Sequence, residues 1–154
     1  MRLRPSEFIL REDQSVYHLA LHPQDLAETV LLVGDPDRVP LISRYFDRVD
    51  VKKSNREFST HTGTLSGKRI SVLSTGIGTD NIDIALNELD ALVNIDFHER
   101  TVKPHLRSLN LIRIGTCGGL QEDLPADAFV LSEWGLGFDG LLHFYEGSRL
   151  ESAI

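Results

Sequence analysis

Short apolar runs alternate along this chain with glycine, proline and charged residues. The run TVLLV at 29–33 has the length and content of a buried strand, and LNLIRI at 109–114 predicts another. Between them, apolar residues recur at helical spacing over 80–93, which predicts an amphipathic helix. The apolar positions of that helix are Ile82, Ala85, Leu86, Leu89, Leu92 and Val93.

Turn residues mark where a second helix begins. Gly34 ends the first apolar run, Asp35 is a favourable N-cap, and Pro36 is a favourable first helical residue. We therefore expect a helix over about 36–47.

A hairpin and one further strand complete the pattern. REFSTHTGT at 56–64 and RISVLS at 69–74 predict two strands around the turn LSGK, and AFVLS at 128–132 predicts a last strand. The resulting order is strand, helix, hairpin, helix, strand, strand. That order is typical of an α/β fold, with a mixed, partly parallel central sheet flanked by helices.

Two segments fall outside this pattern. Residues 1–16 predict a loosely organised arm, and the polar stretch 94–108, broken by Pro104, predicts a surface loop excursion. A length of 154 residues fits a single domain, which we place at 1–154. No closing helix follows LLHFYEGSR, so we expect this domain to be incomplete.

Composition narrows the class of protein. The chain is 41% hydrophobic and 25% charged, as soluble globular proteins are. A net charge of −7 argues against a general nucleic-acid binder. No apolar run has the length needed to span a bilayer, so we expect no membrane association. The single cysteine, Cys117, excludes an intramolecular disulfide, which fits a cytoplasmic location.

Two glycine-containing turns carry the most informative chemistry. VGDPDR at 33–38 and RIGTCGG at 113–119 each follow an apolar strand and each contain an arginine. Exposed backbone amides beside a guanidinium make a cradle for an oxyanion such as phosphate. For Arg38, the alternative is a solvated side chain at an ordinary helix start.

Arg113 lies inside the apolar run LNLIRIG. If it is buried, its charge requires an anionic ligand or a carboxylate partner, and we expect partial desolvation. The alternative is an arginine on the solvent-facing side of the strand. Thr116, in the following turn, offers a hydroxyl donor beside the glycine amides.

Other reactive side chains have simpler interpretations. STGIGT at 74–79 lacks a full dinucleotide-binding or Walker pattern, so we interpret it as a strand-to-helix turn lining a pocket. His98, Glu99 and His105 have no metal-ligand spacing and are interpreted as solvated, and we expect no metal. Cys117 is interpreted as a small space-filling residue rather than a nucleophile.

Taken together, the motifs VGDPDR, NREF, STGIG, RIGTCGG and DGLLHF, in this order, resemble the nucleoside phosphorylase family on the uridine phosphorylase side. The resemblance runs from about His18 to Tyr145 and implies the phosphorylase/hydrolase-like form of the α/β fold. It implies phosphorolysis of a nucleoside, above all uridine or another pyrimidine nucleoside, to free base and ribose 1-phosphate. No cofactor is implied beyond inorganic phosphate as co-substrate.

The resemblance also implies which residues hold the phosphate. Gly34, Arg38, Arg113 and Thr116 match the family's phosphate-binding set. Arg113 and Thr116 would act in catalysis, and Thr116 would also lie near the ribose.

Two further residues match positions that serve a neighbouring subunit. Arg56, in NREF, resembles an arginine lent to the neighbour's phosphate, and His18, in YHL, resembles the histidine that reaches the neighbour's ribose 5′-hydroxyl. The resemblance therefore implies a homodimer or higher homo-oligomer. Asn55 departs from the family, whose uridine members usually have histidine before Arg-Glu-Phe.

Three alternatives stay open. The base could be a purine, since the residues that contact the base and the ribose hydroxyls are expected beyond this chain. A nucleosidase on the same fold would use water instead of phosphate and would not need the arginines. A non-catalytic, truncated relative would assemble without turnover.

Overall fold

The computed structural model describes residues 2–145 of the chain. It divides the chain into two units, Met1–Gly115 and Thr116–Ile154. Met1 and residues 146–154, which the predicted domain 1–154 includes, lie outside the described residues.

Over residues 2–115, the first unit contains a mixed sheet, two α-helices, a small separate hairpin and a short 3-10 turn at Pro23–Asp25. In chain order its elements are β1 (Thr29–Val33), α1 (Arg38–Ser43), β2 (Arg48–Asn55), β3 (Phe58–Leu65), β4 (Lys68–Ser74), α2 (Thr79–Asn94), β5 (Ile95–Asp96), β6 (Thr101–Val102) and β7 (Asn110–Arg113).

The main sheet has five strands in the order β2-β3-β4-β1-β7. Strand β1 pairs in parallel with β4 on one side and with β7 on the other. The remaining pairs, β2 with β3 and β3 with β4, are antiparallel. The predicted mixed, partly parallel sheet flanked by helices is therefore confirmed.

Alternation along the central strands divides the apolar core between the two faces of the sheet. Val30 and Leu32 of β1 pack with Leu89 and Leu92 of α2 in one buried cluster. Val33, the residue after Leu32, packs on the other face with residues of and after α1, among them Val39 and Phe46. This period-two alternation is what places a helix on each side of β1.

Helix α1 is shorter than the expected 36–47. The Asp35 side chain accepts a hydrogen bond from the backbone N–H of Asp37 at 2.9 Å, so Asp35 closes a turn before the helix. Asp37 then occupies the N-cap position. The helix ends at Ser43, and the buried Phe46 turns the chain towards β2.

Strand β2 is absent from the sequence prediction. Its sequence RVDVKKSN alternates between exposed and half-buried positions at the edge of the sheet. Edge strands carry charged residues that restrain further pairing, and those charges conceal the strand pattern.

The arm over 1–16 is better ordered than expected. Residues 2–16 form no helix or strand, but the Arg100 guanidinium donates to the carbonyl oxygens of Leu3, Arg4 and Phe8. In the segment 94–108, β5 and β6 form a two-stranded hairpin, so the predicted surface loop is partly structured.

The second unit, where it is described, contains one 3-10 turn at Leu141–Phe144. The predicted strand at 128–132 is wrong. Phe129 and Leu131 are 106% and 98% exposed, and no strand pairing within the described part of this unit takes up their backbone hydrogen bonds. Across the described residues, no helix has both the length and the apolar content required to cross a membrane.

Candidate functional site

Three parallel strands of the first unit end at the same edge of the sheet. Val33 of β1 lies in register with Ser74 of β4, and Leu32 of β1 with Arg113 of β7. The turns after these strands therefore begin side by side. Ligand sites of α/β proteins form at the carboxyl ends of parallel strands, so this edge is the candidate site.

The turn after β4 is tied directly to β1. Thr75 donates to the carbonyl of Val33 through its backbone N–H at 2.8 Å and through its hydroxyl at 3.2 Å. Gly76 has φ +69, and a Cβ there would lie 2.8 Å from Cγ of Glu57. A glycine is thus needed for both the left-handed backbone and the close approach. The predicted strand-to-helix turn at 74–79 is confirmed.

The guanidinium of Arg113 lies between two glycine turns. A Cβ built on Gly34 would be 3.4 Å from its Nη2, and a Cβ built on Gly115 would be 3.6 Å from its Nη1. Nη1 also donates to the carbonyl of Ile114 at 3.1 Å. The missing side chains at Gly34 and Gly115 leave both flanks of the guanidinium open to a small anion.

The expected desolvation of Arg113 is wrong for the described structure. Strand β7 is the last strand of the sheet, and all four of its residues are exposed. Its apolar neighbours Leu111 and Ile112 are 41% and 50% exposed. Within residues 2–115 no carboxylate forms an ion pair with Arg113. The first unit therefore gives its charge no carboxylate partner.

The remaining predicted phosphate residues occupy different settings. Arg38 is the first residue of α1, follows the Gly34 turn and is half-buried. Thr116 belongs to the second unit, where it is exposed. The structure thus brings Gly34 and Arg113 together at one edge of the first unit, with Arg38 four residues after Gly34.

His18 is held by Glu88 of α2. The ring Nδ1 lies 2.8 Å from Oε1 of Glu88, and the backbone N–H groups of His18 and Leu19 donate to the same carboxylate at 2.9 and 2.8 Å. The Tyr17 ring meets the His18 ring edge-on, with centroids 4.9 Å apart. Glu88 is a functional candidate that the sequence interpretation missed.

The helical pattern did contain a signal for Glu88. It lies between the buried positions Ala85 and Leu92 and next to the buried Leu89. An acidic residue on the apolar face of a helix requires hydrogen-bond partners, which marks it as a candidate.

Arg56 lies close to His18 through its neighbour Asn55. The Asn55 amide donates to the carbonyl of His18 at 2.7 Å. Arg56 itself is exposed, has φ +55 and occupies the turn between β2 and β3. Tyr17, Asn55 and Arg56 line a groove of about 630 Å³ together with residues 10–13. The Asn55 hydrogen bond thus links the turn that carries Arg56 to the segment that carries His18.

Among the described residues, no group of three histidine, cysteine, aspartate or glutamate side chains is arranged to hold a metal ion. His98 pairs with Glu99 at 2.8 Å, and its side chain is 93% exposed, as predicted. Cys117 is exposed in the second unit, so the space-filling interpretation is wrong there.

The family model described as the Phosphorylase superfamily matches residues 28–149. The chain is 36% identical over 124 residues to a uridine phosphorylase of Treponema pallidum, covering 80% of this chain and 43% of that protein. It is 40% identical over 116 residues to a DeoD-type purine nucleoside phosphorylase of Clostridium perfringens, covering 75% and 44%.

A solved structure of a nucleoside phosphorylase shares the fold of this chain. A Trypanosoma brucei nucleoside phosphorylase, described as showing uridine phosphorylase activity, superposes with a TM-score of 0.70 at 34% identity. That match covers 77% of this chain and 41% of the other. The chain therefore spans about two-fifths of the length of the relatives it matches.

Proposed function

Because this chain belongs to the phosphorylase superfamily, we propose that the protein carrying it cleaves a nucleoside with inorganic phosphate. A phosphate oxygen bonds to C1′ of the pentose while the C1′–N bond breaks. The electron pair of that bond leaves with the base, which then takes up a proton. The products are a free base and a pentose 1-phosphate, and no cofactor takes part.

One observation carries the proposal: the Arg113 guanidinium lies between the Gly34 and Gly115 turns, with no ion-paired carboxylate in residues 2–115. Positive charge develops on the pentose as the glycosidic bond breaks. A fixed phosphate dianion stabilises that charge and is already in place to attack. Arginine suits this role because its guanidinium is always charged and binds oxyanions through paired donors.

We assign Gly34, Arg38, Arg113 and Thr116 to the phosphate, and Thr116 also to the ribose. Arg56 and His18 serve the site of a neighbouring copy, so the active form is at least a homodimer. A cytoplasmic location remains a prediction of the sequence.

The preferred substrate is uridine or another pyrimidine nucleoside. The Treponema relative and the Trypanosoma structure, both described by uridine phosphorylase activity, support this choice. A purine nucleoside is the second candidate, because the DeoD-type relative reaches 40% identity.

The test is release of base from uridine and from inosine, each with and without inorganic phosphate. The proposal expects release only with phosphate, faster from uridine, and a pentose 1-phosphate as the second product. Equal release without phosphate would mean hydrolysis and would overturn the proposal. Faster release from inosine would show that the preferred substrate is a purine nucleoside.

A further inference from the structure

Glu88 joins helix α2 to the segment that carries His18. Its carboxylate accepts three N–H groups, from the backbone of His18 and Leu19 and from the His18 ring. Only 13% of its side-chain surface is exposed, against 27% for His18. A partly buried histidine ring is thus fixed by a hydrogen-bond acceptor that is nearly buried.

The contact with Nδ1 determines the chemistry of the other ring nitrogen. A carboxylate only accepts hydrogen bonds, so Nδ1 must carry the proton that it shares with Glu88. In the neutral ring, Nε2 then has a lone pair and accepts a hydrogen bond from a ligand. The partner of one ring nitrogen commonly sets the tautomer of a functional histidine in this way.

The backbone on either side of the ring is fixed as well. Asn55 donates to the carbonyl of His18 at 2.7 Å. The rings of Tyr17 and Phe58 meet the imidazole edge-on, with centroids 4.9 and 6.3 Å away. The ring therefore has little freedom to turn over and exchange its two nitrogens.

We propose that Glu88 is a positioning residue that holds His18 in the Nδ1-protonated form, so that Nε2 accepts a hydrogen bond from the 5′-hydroxyl of the nucleoside bound in the neighbouring copy. This inference rests on the proposed function for the identity of the ligand. The orientation and tautomer of the ring do not depend on it. Glu88 acts on the substrate only through His18.

The first test needs no substitution and no activity. Nitrogen-15 NMR of the intact wild-type protein distinguishes a protonated Nδ1 from a protonated Nε2 at His18. The proposal expects a protonated Nδ1 and an unprotonated Nε2 at pH 8. A protonated Nε2 with an unprotonated Nδ1 would overturn it.

The second test compares a nucleoside with its 5′-deoxy analogue in the Glu88→Gln variant. We expect kcat/KM for uridine to fall about tenfold, the scale of one hydrogen bond to a charged group, and that for 5′-deoxyuridine to change less than about twofold. In a His18→Ala background, Glu88→Gln should have no further selective effect. Equal losses on both substrates would show a merely structural role and would overturn the proposal.

Glu99→Gln is the matched control. The His98–Glu99 pair has the same 2.8 Å distance between Nδ1 and Oε1, but its side chains are 93% and 67% exposed. Its removal should leave both substrates unaffected. If the wild-type protein cleaves no nucleoside with phosphate, the proposed function fails, while the NMR experiment still decides whether Glu88 sets the tautomer.

Discussion

A Cβ on Gly34 would lie 3.4 Å from Nη2 of Arg113, and 3.7 Å from the carbonyl oxygen of Gly76. Both values are ordinary contact distances, so the space above Gly34 is empty and large enough for a methyl group. It opens at the carboxyl ends of β1, β4 and β7, where three turns converge. In our account this is where the phosphate binds.

Gly34→Ala should therefore weaken phosphate binding while leaving the stability of the fold almost unchanged. The added methyl group fits without a clash, and we expect the free energy of unfolding to change by less than about 1 kcal/mol. The same methyl group occupies the space beside the Arg113 guanidinium, so KM for phosphate should rise about tenfold or more. Steady-state kinetics at varied phosphate would measure this change.

Gly135→Ala is a suitable control, because a Cβ there would have no heavy atom within 4 Å. An unchanged KM for phosphate in Gly34→Ala would place the anion elsewhere.

Asn55→Ala should loosen the segment that carries His18. The variant loses the 2.7 Å hydrogen bond to the carbonyl of His18, at a cost of about 1 kcal/mol in stability. We expect faster amide hydrogen exchange at His18 and Leu19, whose N–H groups Glu88 accepts. Ser54→Ala, at an exposed neighbouring position, should leave that exchange unchanged. Unaltered exchange in Asn55→Ala would show that Glu88 alone fixes the segment.

His61 should make stability depend on pH in the mildly acidic range. Burial, with Lys52 as a further cause, lowers the pKa of His61 below its ordinary value of 6.5. The unfolded chain then binds a proton before the folded chain does, so stability is fully present above pH 6.5 and falls as the pH drops towards the lowered pKa.

His61→Gln removes this titration. We expect the stability of the wild type relative to the variant to decline between pH 7.5 and 5, as measured by urea unfolding. His98→Gln, at a side chain that is 93% exposed, is the control. A constant difference across that range would contradict the assignment.

Sequence patterning correctly predicted the elements whose apolar residues pack regularly into the core. Strand β1 at Thr29–Val33 and helix α2 at Thr79–Asn94 match the predicted 29–33 and 80–93 almost residue for residue. Both are buried through regular apolar spacing, which is the signal that the prediction uses. The likeness to uridine phosphorylases, carried by the ordered motifs, is also confirmed by the comparisons.

Prediction from sequence patterning failed where the structure depends on contacts between residues far apart in the chain. The apolar run AFVLS at 128–132 predicted a strand, but a strand also requires a neighbouring strand, which local sequence does not reveal. Arg113 was expected to be partly desolvated because Ile112 and Ile114 flank it, yet those residues are 50% and 44% exposed. Apolar neighbours indicate a strand but do not determine whether another layer covers it.

The candidate site was predicted unevenly for the same reason. The adjacency of Gly34 and Arg113 follows from parallel pairing of β1 with β7, which the two strand-turn motifs anticipated. The contact between His18 and Glu88 joins residues 70 positions apart, and no local pattern identifies such a pair. The roles of all six predicted site residues stay predictions.

The central claim is that Arg113 binds phosphate rather than stabilising the fold, and Arg113→Ala tests it most directly. The measurement is phosphate-dependent turnover of uridine together with the melting temperature, with Arg107→Ala at an exposed arginine as control. We predict a fall in turnover of about 10²–10³-fold, the scale for losing one electrostatic donor, with an almost unchanged melting temperature. A collapse in stability, with normal turnover in the protein that remains folded, would contradict the account.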